Sequence, residues 1–137
     1  MLTEADIERI GRAVEARVLP KAEWTHAAHF AAAMWVLSHP ERVAERDLPI
    51  MIRAYNEATG NINTDASGYH ETITQASIRA ARAFLQAHSS RAEALNRLLG
   101  SRLSRSDWLL AHFSRERLFS IEARRGWVEP DLSPLPF

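Results

Sequence analysis

Three of the six histidines in this 137-residue chain stand where their spacing could do chemistry. His26 and His29 are three residues apart, so on a helix both rings can face one point. His70 opens a separate segment and is followed by Glu71. Neutral imidazole binds first-row metal ions, and a catalytic zinc centre keeps three protein ligands with one open position for water. His26, His29 and His70 are therefore the candidate ligands of a zinc-like divalent ion. Glu71 would be a fourth ligand or the base that takes a proton from bound water, and His70 would share in the acid–base work. Trp24, Tyr55, Asn56, Asn61 and Tyr69 are candidate ligand-binding groups around them, with His112 as a reserve metal ligand. The same rings would also serve metal-free acid–base chemistry, or bind a small ligand without turnover. The plain alternative is that each is satisfied by a backbone carbonyl or a hydroxyl, in a structural or interaction protein.

The elements that must position these groups can be read from periodicity. Trp24 to Ser38, WTHAAHFAAAMWVLS, has no charged side chain, in a chain where 25% of residues are charged. At about 100° per residue His26, His29, Phe30, Ala33 and Leu37 share one face, while Trp24, Ala28, Ala31 and Trp35 share the other. A helix with no polar side is surrounded by protein, so both histidines are expected inside the molecule. His70 is expected at the start of a long helix over Tyr69–His88, with Ile73, Ser77, Ala81 and Phe84 inward and Gln75, Arg79, Arg82 and Gln86 outward. The pocket would lie between these two helices. Before it runs NINTDASG, 61–68, the longest stretch of turn formers in the chain, which would shape the entrance.

Around this pair the remaining segments also read as helices. Thr3 with Asp6 forms a capping box for a helix to about Val18, with Ile7, Ile10, Val14 and Val18 as its inner stripe. Asp47 caps a helix that carries Pro49 in its first turn and ends at Thr59, before Gly60. Ser90 with Glu93 opens a fifth helix and Ser104 with Asp107 a sixth, followed by a short segment Ile121–Arg125. WVEPDLSPLPF, with three prolines, is expected as an extended tail over 126–137, packed on the rest through its apolar side chains. No strand pattern and no internal repeat is found. The expected fold is all-α: a single bundle of about six helices in one domain, 1–137.

Composition excludes several classes of function. Formal net charge is zero, which argues against nucleic-acid and membrane-surface binding. Residues 1–68 hold seven basic against ten acidic side chains and residues 69–137 the reverse, ten against seven, too small a difference for a basic patch. There is no cysteine, hence no disulfide framework and no thiolate. No apolar run is long enough to span a membrane and no signal-peptide pattern opens the chain, so a cytoplasmic location is expected. No phosphate-binding glycine loop and no nucleophile elbow occurs. The sequence is compatible with a homodimer.

The segments EWTHAAHFAAAMWVL, IRAYNEATGNINTDASGYHETIT and LFSIEARRGWVEPDLSPLPF together resemble a family of small uncharacterised bacterial all-helical proteins. The family is marked by WTHxAHF-like and GYHETIT-like motifs and a W-x-E-P-D-L tail. On this chain the resemblance falls on Trp24, Thr25, His26, His29, Tyr55, Asn56, Gly60, Gly68, Tyr69, His70, Glu71 and Thr72. It implies a shared pattern and brings no activity with it.

Overall fold

A computed structural model describes all residues, 1–137, as seven α-helices joined by turns, with no strand. The helices are α1 (Glu4–Glu15), α2 (His26–Leu37), α3 (Ala44–Ala58), α4 (Glu71–Ala87), α5 (Arg91–Leu99), α6 (Arg115–Leu118) and α7 (Ile121–Arg125). Three short 3-10 turns lie at Lys21–Glu23, Arg102–Ser104 and Trp108–Ala111. The all-α expectation holds. No helix is long and apolar enough to cross a membrane.

The charge-free helix is the centre of the molecule. α2 packs against α1, α3, α4 and α5, and eight of its twelve residues are buried. The run Ala31–Ala33 makes this enclosure possible, since small side chains let neighbouring helices approach. α1 comes closest at Gly11, where a Cβ would lie 2.2 Å from the Trp35 ring. Thr25 fixes where α2 begins: its Oγ1 accepts the Ala28 N–H at 3.2 Å, which satisfies one of the free donors of the first turn. Thirty buried apolar residues form one continuous core around this helix.

Several boundaries differ from the sequence expectation, each for a physical reason. α1 stops at Glu15 because Arg17 turns left-handed (φ 64°), which leaves Val18 70% exposed and outside the core. α3 begins a turn before Asp47, whose carboxylate reaches back to the Val43 N–H at 2.8 Å. Pro49 is thus inside the helix, where its missing N–H orphans the Glu45 carbonyl. The Gln75 side chain on α4 donates to that carbonyl at 3.0 Å. α4 starts at Glu71 and not Tyr69, with His70 as its cap. It is covered on more than one side, so Thr72, Thr74, Ile78 and Ala80 are buried as well as the expected Ala81.

The largest departure is at 101–119, where one helix opened by Ser104 was expected. Instead the chain makes two 3-10 turns and the short α6. The Arg105 backbone is extended and the Asp107 carboxylate pairs with Arg105, so nothing caps a helix there. The last residues form no helix or strand. They touch the core through Trp127, Val128, Leu135 and Phe137, while Leu132 is 60% exposed.

Candidate functional site

His70 is held at both nitrogens. Its Nδ1 accepts the Ile73 N–H at 3.1 Å, capping α4, and its Nε2 donates to the Leu118 carbonyl at 2.7 Å. Accepting at one nitrogen and donating at the other fixes the neutral Nε2–H tautomer. Burial lowers its pKa, and the nearby Arg124 charge acts in the same direction, against the Leu118 hydrogen bond. The ring's one in-plane lone pair, on Nδ1, is taken by the Ile73 N–H.

The groups flanking His70 are engaged in the same way. The Tyr69 hydroxyl donates to Glu71 Oε1 at 2.5 Å, and Gln75 donates to Glu71 Oε2 at 3.3 Å. Burial and the Glu71 carboxylate raise the Tyr69 pKa. Asn56 Nδ2 and the Tyr69 N–H both donate to Asn63 Oδ1, at 3.0 and 2.9 Å. Gly68 closes the loop at φ +82°, where a Cβ would lie 2.7 Å from the same Asn63 oxygen. Thr72 Oγ1 donates to the Gly126 carbonyl at 2.9 Å. The GYHET stretch is thus a hydrogen-bonded junction that fastens the 118–128 segment to the start of α4.

The start of α2 is built differently. His26 Nε2 donates to the Leu103 carbonyl at 2.7 Å, and His29 Nδ1 donates to the Thr25 carbonyl at 2.8 Å. Each ring keeps its other nitrogen, His26 Nδ1 and His29 Nε2, without a protein partner. Neither of these atoms is shut away from solvent. Trp24 stacks on His29 with centroids 3.7 Å apart, and Tyr55 meets Trp24 edge-on at 5.2 Å. Protein encloses the His29 ring although solvent reaches one edge of it. Desolvation outweighs the Thr25 hydrogen bond, and the His26 ring alongside adds to its effect. The His29 pKa is pushed down to about 4, so the ring is neutral at pH 7.

His26 and His29 line a cavity of about 460 Å³ between α2, α3 and α4. Phe30 and Ala33 of α2, and Leu48 and Ile52 of α3, form its apolar floor. Ile73, Thr74 and Ser77 of α4 form one side, and Trp108, Leu109 and Leu118 close the other. Polar groups are few: the two rings, Thr74 and Ser77, with Ser106, Asp107 and Arg115 in the irregular segment. An apolar enclosure of this size with a few polar groups is how small-molecule sites are made.

The structure therefore brings His26 and His29 together on one cavity and leaves the other candidates outside it. His70, Glu71, Trp24, Tyr55, Asn56, Asn61 and Tyr69 contribute no wall, and neither does any residue of 61–68. No group of three or more His, Asp or Glu side chains is placed to hold an ion. Tyr55 is buried and donates to the Leu19 carbonyl at 2.8 Å, while Asn61 is exposed. His112 pins the chain end: its Nε2 accepts from Arg102 at 2.9 Å and its Nδ1 donates to the Pro134 carbonyl at 3.0 Å. Leu48 and Ile52 were readable as an inward face. Ser77 was likewise readable as inward, while Thr74 was missed because α4 is covered on more than one side, and Asp107, Arg115 and Phe119 because the wall between 106 and 119 exists only once the expected helix is replaced by turns.

Comparison of the chain with family models, with curated proteins and with solved structures finds no match.

Proposed function

We propose that the protein binds a small, mainly apolar molecule in the cavity between α2, α3 and α4, with His29 Nε2 as the hydrogen-bond acceptor that orients it. The observation that carries this reading is the pairing of a mainly apolar, part-open cavity of about 460 Å³ with a neutral imidazole whose one free nitrogen has no protein partner. An aromatic or alicyclic body would fill the volume. A hydroxyl or N–H on it would donate to His29, as a fixed acceptor in an apolar wall selects for a donor.

Naphthol, which has an aromatic body and one donor, is a suitable probe. It should raise the melting temperature and perturb the amides of α2. Naphthalene, lacking the donor, should bind about two- to twelvefold more weakly, the value of one hydrogen bond of about 0.5–1.5 kcal/mol. Ser77→Phe, which fills the cavity from α4, should abolish both effects. Absence of any naphthol effect up to its solubility limit would overturn the reading.

A second reading rests on the two free nitrogens. His26 Nδ1 and His29 Nε2 can serve as two ligands of a zinc-like ion, whose other positions a bound small molecule or water would complete. This keeps the metal-dependent enzyme expected from the sequence but without His70 or Glu71. Zinc titration followed by the His26 and His29 ring signals tests it, and unchanged signals in excess zinc would exclude it.

A further inference from the structure

A second concave site lies at the far end of the 61–68 loop and is electropositive. Its volume is about 230 Å³, and Arg53 of α3, Arg124 and Arg125 of α7, Asp65 and Tyr69 line it. Arg125 is neutralised by Asp65, which it grips with two nitrogens at 2.8 and 2.6 Å. Arg53 makes no ion pair; its guanidinium lies over the Tyr69 ring, 4.4 Å from the centroid. Arg124 makes none either, and donates to the carbonyls of Gly68 and Tyr69 at 3.1 and 3.2 Å. The next carboxylate along the chain, Glu71, is occupied by Tyr69 and Gln75. Three guanidiniums thus line one polar hollow against a single carboxylate, Asp65, which is paired with Arg125 and lies within reach of the Arg124 charge, so two positive charges remain in excess.

The hollow is also preorganised. Asn63 ties the loop to Asn56, Tyr69 and, through Nδ2, the Arg53 carbonyl at 3.1 Å, and the Tyr69 ring holds the Arg53 guanidinium in place by cation–π contact. Arginine presents its donors in a flat fork that matches two oxygens of a carboxylate or phosphate. We infer that this hollow is a binding site for a small dianionic oxyanion, a phosphate or a dicarboxylate, held between Arg53 and Arg124.

The test is an amide NMR titration of the whole chain with inorganic phosphate and, separately, with malonate. Both are run at constant ionic strength against chloride, because exposed charges are screened by salt. Either dianion should shift the amides of Thr64, Asp65 and Tyr69 where chloride does not, and which one does so distinguishes phosphate from carboxylate recognition. Arg53→Gln should weaken binding about tenfold with unchanged melting, and Arg53→Lys, which keeps the charge but not the fork, should fall between. Asp65→Asn, which frees Arg125, should tighten binding, and Arg97→Gln on a remote surface should leave it alone. Two results would each overturn the proposal: neither dianion exceeding chloride, or Arg53→Gln binding like the parent chain.

Discussion

The two histidine-bearing helix starts of this molecule look alike in sequence and do opposite work. At α4, His70 is itself the cap: one nitrogen takes the Ile73 N–H, the other holds the Leu118 carbonyl, and the ring has nothing left to offer. At α2, Thr25 supplies the cap through its hydroxyl, which relieves His26 and His29 of that duty; both rings line a cavity, and each keeps one nitrogen without a protein partner. The difference teaches that burial alone does not make a histidine available for binding. What matters is how many ring nitrogens the protein leaves unclaimed.

This contrast can be broken or sharpened by substitution. The largest effect is expected at the α4 junction. His70→Ala removes a cap, worth about 1 kcal/mol, and orphans the buried Leu118 carbonyl, which costs about 1–3 kcal/mol more. Urea unfolding should show a total loss of about 3 kcal/mol, with His70→Asn recovering the capping part. A loss under about 1 kcal/mol would remove the structural role assigned to His70. Gly68→Ala should cost about 2–3 kcal/mol in the same assay, because it combines a left-handed backbone with a Cβ 2.7 Å from Asn63.

At the α2 start the pattern should invert. His29→Leu keeps the apolar contact with Trp24 and loses one hydrogen bond, so stability at pH 7 should change by no more than about 1 kcal/mol while naphthol discrimination disappears. Its pH dependence follows from the sign of the shift. A histidine whose folded pKa lies below its unfolded value of about 6.5 is neutral in the fold, so the unfolded chain takes up the proton first. Its stabilising contribution is complete above about pH 6.5 and is lost as pH falls towards 4. His29→Leu should therefore flatten the loss of stability between pH 6.5 and 4 relative to the parent, and an unchanged slope would contradict the neutral, desolvated ring. The smallest effect belongs to Glu71→Gln, which can still accept from Tyr69. It should leave cavity binding unaltered and shift stability by less than about 1 kcal/mol, whereas a base at the reacting centre would be indispensable.

Much of the fold was legible because its determinants are local. The capping box at Thr3, the cap at Ser90, the glycine stop at Gly60 and the charge-free α2 all act within a few residues of themselves, and local pattern finds them. What could not be read is where orphaned carbonyls find donors across the molecule. Glu45 meets Gln75, Leu103 meets His26 and Leu118 meets His70, over sequence separations of 30 to 77 residues. The last two of those bonds hold the two ends of the irregular path through 101–119. Sequence placed His26, His29 and His70 inside the molecule and attached chemistry to all three, but only the structure shows that His70 spends its chemistry on the backbone.

The most direct test is a long-range proton–nitrogen NMR spectrum of the histidine rings at pH 7. The account predicts opposite neutral tautomers, Nδ1–H for His29 and Nε2–H for His70, with naphthol moving the His29 Nε2 signal and leaving His70 still. A His70 ring that carries its proton on Nδ1, or that responds to ligand while His29 does not, would contradict it.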